Sequence, residues 1–265
     1  MSFDVSADAY LRFMGRYSGP LAVPFADQAG VGNGGSGGPG SAGGSGGRRA
    51  LDVGCGPGVL TAELVRRLGA GAVCAAEPSP SFAAAARERL PGVDVRSAAA
   101  ESLPFPDDSF DTVLAQLVVH FMADPVAGLR EMARVARPGG TVAACVWDHG
   151  GGRGPLSSFW AAARDLDPAV RGDTGQAGVR QGHLAELFAE AGLDRVRSGV
   201  LEVSVRHGSF EDWWEPFTLG VGPVGDYIAK LSPEQRVALR EHCRAQFPAG
   251  PFEVGACAWV ATSQV

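Results

Sequence analysis

The chain predicts an α/β protein with a parallel sheet and helices on both faces, and three observations carry that prediction. Short apolar runs alternate with segments whose apolar residues recur every fourth position, the pattern of βαβ units. The first apolar run, Leu51-Asp52-Val53, ends directly in Gly54-Cys55-Gly56-Pro57-Gly58. Three glycines so close behind a strand leave room for a ligand to lie against backbone. The apolar fraction of 45% over 265 residues is that of a globular protein able to bury a sizeable core.

Each element follows in order. Strand 1 is expected over 49–53, then a helix with Leu60, Leu64 and Leu68 on one face. Strand 2 spans 72–76 and is closed by Glu77; Phe82, Ala86 and Leu90 mark the next helix. Strands 3 and 4 are expected over 93–96 and 110–115, then a helix over 125–136. Arg137-Pro138-Gly139-Gly140 reads as a turn into strand 5 at 141–147. Beyond Asp148 the pattern loosens into a glycine-rich loop over 149–154 and a helix over 157–166. Leu184, Leu187, Phe188 and Ala191 mark a helix stopped by Gly192. Strands are expected over 195–206 and 253–262, with helical segments between them. Ahead of the core lies a helical arm from Ala9 to about Ala29, broken near Gly19-Pro20. Residues 30–47, with 11 Gly in 18 positions, cannot bury apolar surface and read as a flexible linker. The organisation is therefore an arm at 1–29, a linker at 30–47 and a domain at 48–265 with a helical insertion at about 207–250.

Charge and composition exclude several classes. A net charge of -6 without a basic run disfavours a nucleic-acid partner. No apolar stretch is long enough to span a bilayer, and Met1-Ser2-Phe3-Asp4-Val5 lacks the pattern of a secretory signal. The five cysteines are scattered without a Cys-x-x-Cys pair, as expected of reduced thiols in a cytoplasmic protein. His183, His207 and His242 have no metal-ligand spacing, so no metal is expected. Lys230 is the sole lysine among abundant Arg, Ala and Gly, a bias typical of GC-rich bacterial genomes.

The glycine loop discriminates between nucleotides. A dinucleotide loop runs Gly-x-Gly-x-x-Gly, with the pyrophosphate at a helix N-terminus. Here Gly58 comes one residue early, and Val59 stands where that glycine belongs. Asp52 beside the loop repels a pyrophosphate and favours a cation. S-adenosylmethionine (SAM) has no phosphate and carries an ammonium and a sulfonium. Glu77, directly before Pro78 at the end of strand 2, is placed to accept from both ribose hydroxyls, a charge-assisted bond of about 1.5–3 kcal/mol. Plainer readings are a solvated strand-end acid for Glu77 and a helix-capping acid for Asp52.

Leu51 to Gly58 resembles motif I of the class I SAM-dependent methyltransferases, and Ala75-Ala76-Glu77-Pro78-Ser79 the acidic end of their second strand. Residues 100–111, Ala-Glu-Ser-Leu-Pro-Phe-Pro-Asp-Asp-Ser-Phe-Asp, resemble the adenine loop and fourth strand of the group that includes the quinone-biosynthesis enzymes. Residues 129–140 resemble that group's helix and turn before strand 5. The resemblance covers roughly 49–147 in the right order. It implies a Rossmann-like, doubly wound, seven-stranded sheet whose last strand is antiparallel and inserted between strands 5 and 6. It implies SAM as cofactor, leaving as S-adenosylhomocysteine (SAH). Gly54, Gly56 and Gly58 would lie along the methionine part, Glu77 on the ribose, Ala100 and Glu101 beside adenine, and Gln116 near the methionine part. Where the family often has an Asp that contacts adenine, this chain has Ala99. Phe13-Met14-Gly15-Arg16-Tyr17-Ser18 resembles the lid helix of the group. Arg16 would then pair with the methionine carboxylate, and Tyr10 or Tyr17 would line the transfer site; the plainer reading is an amphipathic helix packed on the core.

Methyl transfer from a sulfonium is an in-line displacement, and alignment alone can supply about 7–11 kcal/mol of the barrier. His120 is the first candidate for a general base, Asp148 and His149 the second; each also reads as a structural residue. Phe210, Trp213, Trp214 and Phe217 belong to the insertion, which in this fold roofs the acceptor pocket. Core packing accounts for most of them, while one or two facing the pocket would suit a planar or apolar acceptor. Three functions stand open: a methyltransferase on a small molecule, a non-catalytic SAM-binding protein, and a nicotinamide-dependent oxidoreductase.

Overall fold

The computed structural model describes residues 6–32 and 48–265, so most of the expected linker lies outside the described residues. The arm is two helices, α1 (Ala7–Phe13) and α2 (Gly15–Gln28). Ser6 caps α1 by accepting from the Ala9 N–H. The break falls at Met14 and not near Gly19-Pro20, for α2 runs through both Pro20 and Pro24. An interior proline costs about 3 kcal/mol of helix. Burial of Tyr17, Leu21, Ala22, Phe25 and Ala26 offsets that cost.

The core follows as β1 (Ala50–Val53), α3 (Val59–Leu68), β2 (Val73–Ala76), α4 (Pro80–Arg89), β3 (Asp94–Arg96), β4 (Phe110–Gln116), α5 (Pro125–Val135) and β5 (Ala136–Trp147). Then come α6 (Ser157–Leu166), α7 (His183–Glu190), β6 (Arg197–His207), α8 (Phe210–Trp214), α9 (Gly222–Lys230), α10 (Pro233–Arg244) and β7 (Phe252–Gln264). All seven strands form one sheet in the order β3-β2-β1-β4-β5-β7-β6. The first five are parallel to one another, and β7 runs antiparallel to both β5 and β6. The reversed last strand therefore sits between the fifth and sixth, as the resemblance implies. Arg137 to Gly140 is not a free turn: β5 already begins at Ala136, which pairs with Phe110, and the extra residues form an irregularity before Thr141 meets Thr112.

Alternation along the strands assigns the layers. Leu51, Val53, Val113, Ala115, Val142, Ala144 and Val146 join α5 and α7 in one apolar cluster. Ala50, Leu114, Ala143, Cys145 and Trp147 face the other way, into a cluster with α2, α3, α6 and α8. Arg67 ties α3 to the end of α2. Its buried guanidinium donates to Glu63 at 2.7 Å, Asp27 at 2.6 Å and the Val31 carbonyl at 2.6 Å. Among the described residues no helix is long and apolar enough to cross a membrane.

β1 lies between β2 and β4. The chain order reverses there, and crevices form at such a switch point beyond the carboxyl ends of the strands. Gly54, Glu77 and Leu117, the residues that follow β1, β2 and β4, all stand at that edge.

Candidate functional site

A cavity of about 370 Å³ opens at this edge. Asp52, Gly54, Gly56, Glu77, Pro78, Ala100, Glu101 and Gln116, all singled out from the sequence, line it, with Ala99 beside them. Gly54 and Gly56 hold φ of 68° and 55°, which L side chains rarely adopt. A Cβ on Gly54 would stand 2.5 Å from Val118 Cγ1, so the strand and the loop after β4 approach closely only because no side chain intervenes.

The loop amides already have partners. Gly54 and Cys55 donate to the Ala76 carbonyl at 2.8 and 3.0 Å, Gly58 to the Cys55 carbonyl at 3.0 Å, and Gly56 to Glu77 Oε2 at 2.8 Å. An anion-gripping loop needs free amides; this one has spent three on backbone carbonyls and one on the Glu77 carboxylate. Ser79 N–H donates to the other Glu77 oxygen at 2.8 Å. Glu77 is 6% exposed, and burial raises its pKa while the two amide bonds lower it. Asp52, 1% exposed, accepts from the Thr61 hydroxyl at 2.6 Å, in the first turn of α3. Burial pushes Asp52 up to about 7, against the Thr61 bond and with the charge of Glu77 adding. Three acidic residues, Asp52, Glu77 and Glu101, thus line one cavity, the first two of them buried, and none of the described residues lining it is basic.

Two polar atoms at the cavity are buried without partners, Ser18 Oγ and Gln116 Oε1. Gln116 Nε2 donates to the Ser18 carbonyl at 3.0 Å and joins the arm to β4. Glu101 lines the cavity, but its Oε1 accepts from the Ala123 and Asp124 amides at 2.7 and 3.2 Å and so braces the loop before α5. Tyr10 also lines the cavity, edge-on to Phe82 with ring centroids 5.3 Å apart. Burial, then the charges of Glu77 and Asp52, raise its pKa and keep the phenol protonated.

Other expectations land elsewhere. Arg16 does not line the cavity; both of its terminal nitrogens donate to Asp212 at 2.9 Å, and one also reaches the Asp212 carbonyl at 2.8 Å. Tyr17 turns away and shares a 3.0 Å bond with His207. His120 sits in a short turn over Val119–Phe121, outside the cavity lining, with its ring centroid 3.9 Å from that of Phe121. Burial, reinforced by His149, lowers it to about 3, so the ring is neutral and a poor base. Asp148 is clamped by Arg153 at 2.7 Å and by the Gly151 amide at 2.7 Å. Phe210, Trp213, Trp214 and Phe217 are buried among themselves, Phe159 and Phe247, and line neither this cavity nor the chamber beside it.

That chamber, about 50 Å³, shares Tyr10, Leu117 and Phe121 with the main cavity. Leu117 divides the two with a left-handed φ of 62°, an arrangement costing about 1–2 kcal/mol for a side chain. Its amide donates to the Cys145 carbonyl at 2.8 Å, and this bond and its 6% exposure hold it in place. His149 lines the chamber, as do Asp173 and Gln176 from the loop before α7. No periodicity or motif marks these last two in the sequence. For Ser18 the available signal was the resemblance of 13–18 to a lid.

A family model described as a methyltransferase domain matches residues 51–144. The chain is 43% identical over 100 residues to a demethylmenaquinone methyltransferase of Mycobacterium sp. (strain KMS), covering 37% of this chain and 40% of that one. It thus spans about two-fifths of the length of that relative. It is 30% identical over 193 residues to an uncharacterized protein of Mycobacterium tuberculosis (strain ATCC 25618 / H37Rv), covering 67% of this chain and 68% of that one. A solved SAM-dependent methyltransferase from Aquifex aeolicus has the same fold, with a TM-score of 0.53 at 16% identity over 97% of this chain and 93% of that one. By strand order, by the motif that runs from β1 into β5 and by these likenesses, the chain belongs to the class I SAM-dependent methyltransferases, the family whose cofactor is SAM.

Proposed function

We propose that this protein moves a methyl group from SAM to a small-molecule acceptor. The pair of buried carboxylates, Asp52 and Glu77, in a cavity lined by no basic residue among those described, carries the reading. Such a site favours a cation and rejects a pyrophosphate, which weighs against a nicotinamide cofactor. The residues fit SAM. Glu77, with both oxygens fixed by amides, retains lone pairs for two ribose hydroxyls. Ser18 Oγ and Gln116 Oε1 offer unpaired polar atoms to the amino-acid end. Ala99 and Ala100 leave a small-walled space beside Pro78 for adenine.

When bound, SAM supplies a methyl group already activated on sulfur. The chain's own contribution is placement and exclusion of water. Tyr10, Leu117 and Phe121 separate the main cavity from the acceptor chamber and shield the junction. The arm over residues 6–29, docked through Ser18 on Gln116 and through Arg16 on Asp212, acts as a lid. His149 is the imidazole that lines the acceptor chamber; burial lowers it to about 4, so at neutral pH it is uncharged and, like His120, a weak base.

Calorimetry with SAM and SAH tests the reading. Micromolar binding of both is expected, and absence of binding at millimolar ligand overturns it.

A further inference from the structure

The polar end of the smaller chamber has no role in holding SAM. Its walls are apolar: Phe13 and Met14 from the arm, Trp147 at the end of β5, and Val224 from α9. Against them stand Asp173 and Gln176. Asp173 is 5% exposed, and its carboxylate forms one hydrogen bond among the described residues, from Trp160 Nε1 to Oδ2 at 3.0 Å. No ion pair reaches it from the described residues. Gln176 Oε1 is buried without a partner. His149, the third polar residue, brings no compensating charge, because burial keeps its ring neutral at physiological pH.

A buried carboxyl with no cation beside it takes up a proton or awaits a cationic partner. An unpaired amide oxygen lining the same chamber needs a donor as well. One ligand group meets both needs, a nitrogen that carries a positive charge and more than one N–H. A hydroxyl has one hydrogen and no charge, and a carboxylate would meet like charge. The chamber volume of about 50 Å³ holds a small group, since one water takes about 10–15 Å³ in the same measure.

We propose that this chamber recognises the methyl acceptor by a protonated amine, with Asp173 as counter-charge and Gln176 Oε1 as second acceptor. The proposal rests on the reading that the main cavity holds SAM. Protonated nitrogen has no free lone pair, so this amine is an anchor. The methylated atom is another one on the same molecule, reaching past Tyr10 toward the main cavity. Asp173 and Gln176 are thus specificity residues and not catalytic ones.

The test begins with SAH binding to the whole protein, measured by calorimetry. Failure there overturns the SAM reading and this proposal with it. The SAH complex is then titrated at pH 7 with two matched sets: butylamine, butanol and butyrate; phenethylamine, phenylethanol and phenylacetate. In at least one set the amine should bind tenfold or more tighter than its alcohol and its acid. Asp173→Asn keeps the shape and an acceptor for Trp160; it should bring amine and alcohol within twofold while SAH affinity stays unchanged. Gln176→Leu should weaken amine binding threefold or more at unchanged SAH affinity, and it decides the matter if Asp173→Asn does not fold. SAH binding with no amine preference in either set, or a preference that survives the folded variants, overturns the chamber assignment alone.

Discussion

Replacing Glu77 with Gln removes one oxygen from a group that has two backbone amides bound to it. Both bonds are 2.8 Å, to Gly56 and Ser79, and the side chain is 6% exposed. A glutamine can accept only through its carbonyl, so its NH₂ must face one of those amides, donor against donor. The amide left unpaired costs about 1–3 kcal/mol of stability. At about 2–4 °C per kcal/mol, the melting temperature should fall by roughly 2–12 °C. Ligand affinity falls separately, because a charge-assisted acceptor for ribose hydroxyls is worth about 1.5–3 kcal/mol, roughly ten- to hundredfold in Kd. Calorimetry with SAH, SAM and 5′-methylthioadenosine reads this directly. The thioadenosine keeps the ribose and lacks the amino-acid end, so it should lose the same factor as SAH. A variant that binds SAH within threefold of wild type would refute the ribose assignment. So would a loss for SAH that the thioadenosine does not share.

Asp52, raised to about 7 by burial, makes two pH dependences of opposite sign. An acid raised on folding stabilises the fold at low pH, so the ligand-free protein should lose stability as pH rises from about 4 to about 7. A cationic ligand prefers the carboxylate, so SAM should bind more tightly as pH rises from 6 to 8; Asp52→Asn should flatten both profiles in melting and calorimetry. Gly54→Ala introduces a Cβ 2.5 Å from Val118 Cγ1 at a φ of 68°. It should cost about 1–3 kcal/mol in urea unfolding and weaken SAM binding, because Val118 is pushed into the cavity it lines. Arg16→Ala and Asp212→Asn break a pair whose side chains are 26% and 41% exposed, so each should cost about 1 kcal/mol or less. Both should speed proteolysis of the arm to a similar degree and change SAM affinity less than threefold; a tenfold loss confined to Arg16→Ala would return Arg16 to the methionine carboxylate.

Local physics made the core legible. β1, β2, β4 and the helices between them follow from apolar spacing, glycine and capping residues, and they appear within a residue or two of expectation. Places where distant packing overrides a local rule were not legible. Pro20 signals a break, yet Tyr17, Leu21 and Phe25 bury enough surface to carry α2 through it. Arg16 looked free to hold a carboxylate because its partner, Asp212, lies 196 residues away. The aromatic insertion resembled a pocket roof, but its rings satisfy one another, and Gly222 to Val224 lie against the chamber instead. Glycine spacing and the acids Asp52 and Glu77 were enough to indicate residues that line the main cavity, since one short stretch of chain builds each part. Asp173 and Gln176 come from an irregular loop, where nothing periodic distinguishes a pocket residue from a solvated one.

The reversed β7 also has a consequence for how the chain is made. It pairs through seven residues with β5 and eleven with β6, and β6 has no other neighbour in the sheet. β7 follows every other strand in the chain, so during synthesis β6 waits without a partner and β5 presents an open edge. That stage is the one at which a nascent or truncated chain recruits strands from its neighbours. Loss of β7 should therefore send the protein to aggregates rather than to a smaller folded domain, although β1 to β5 are then already present.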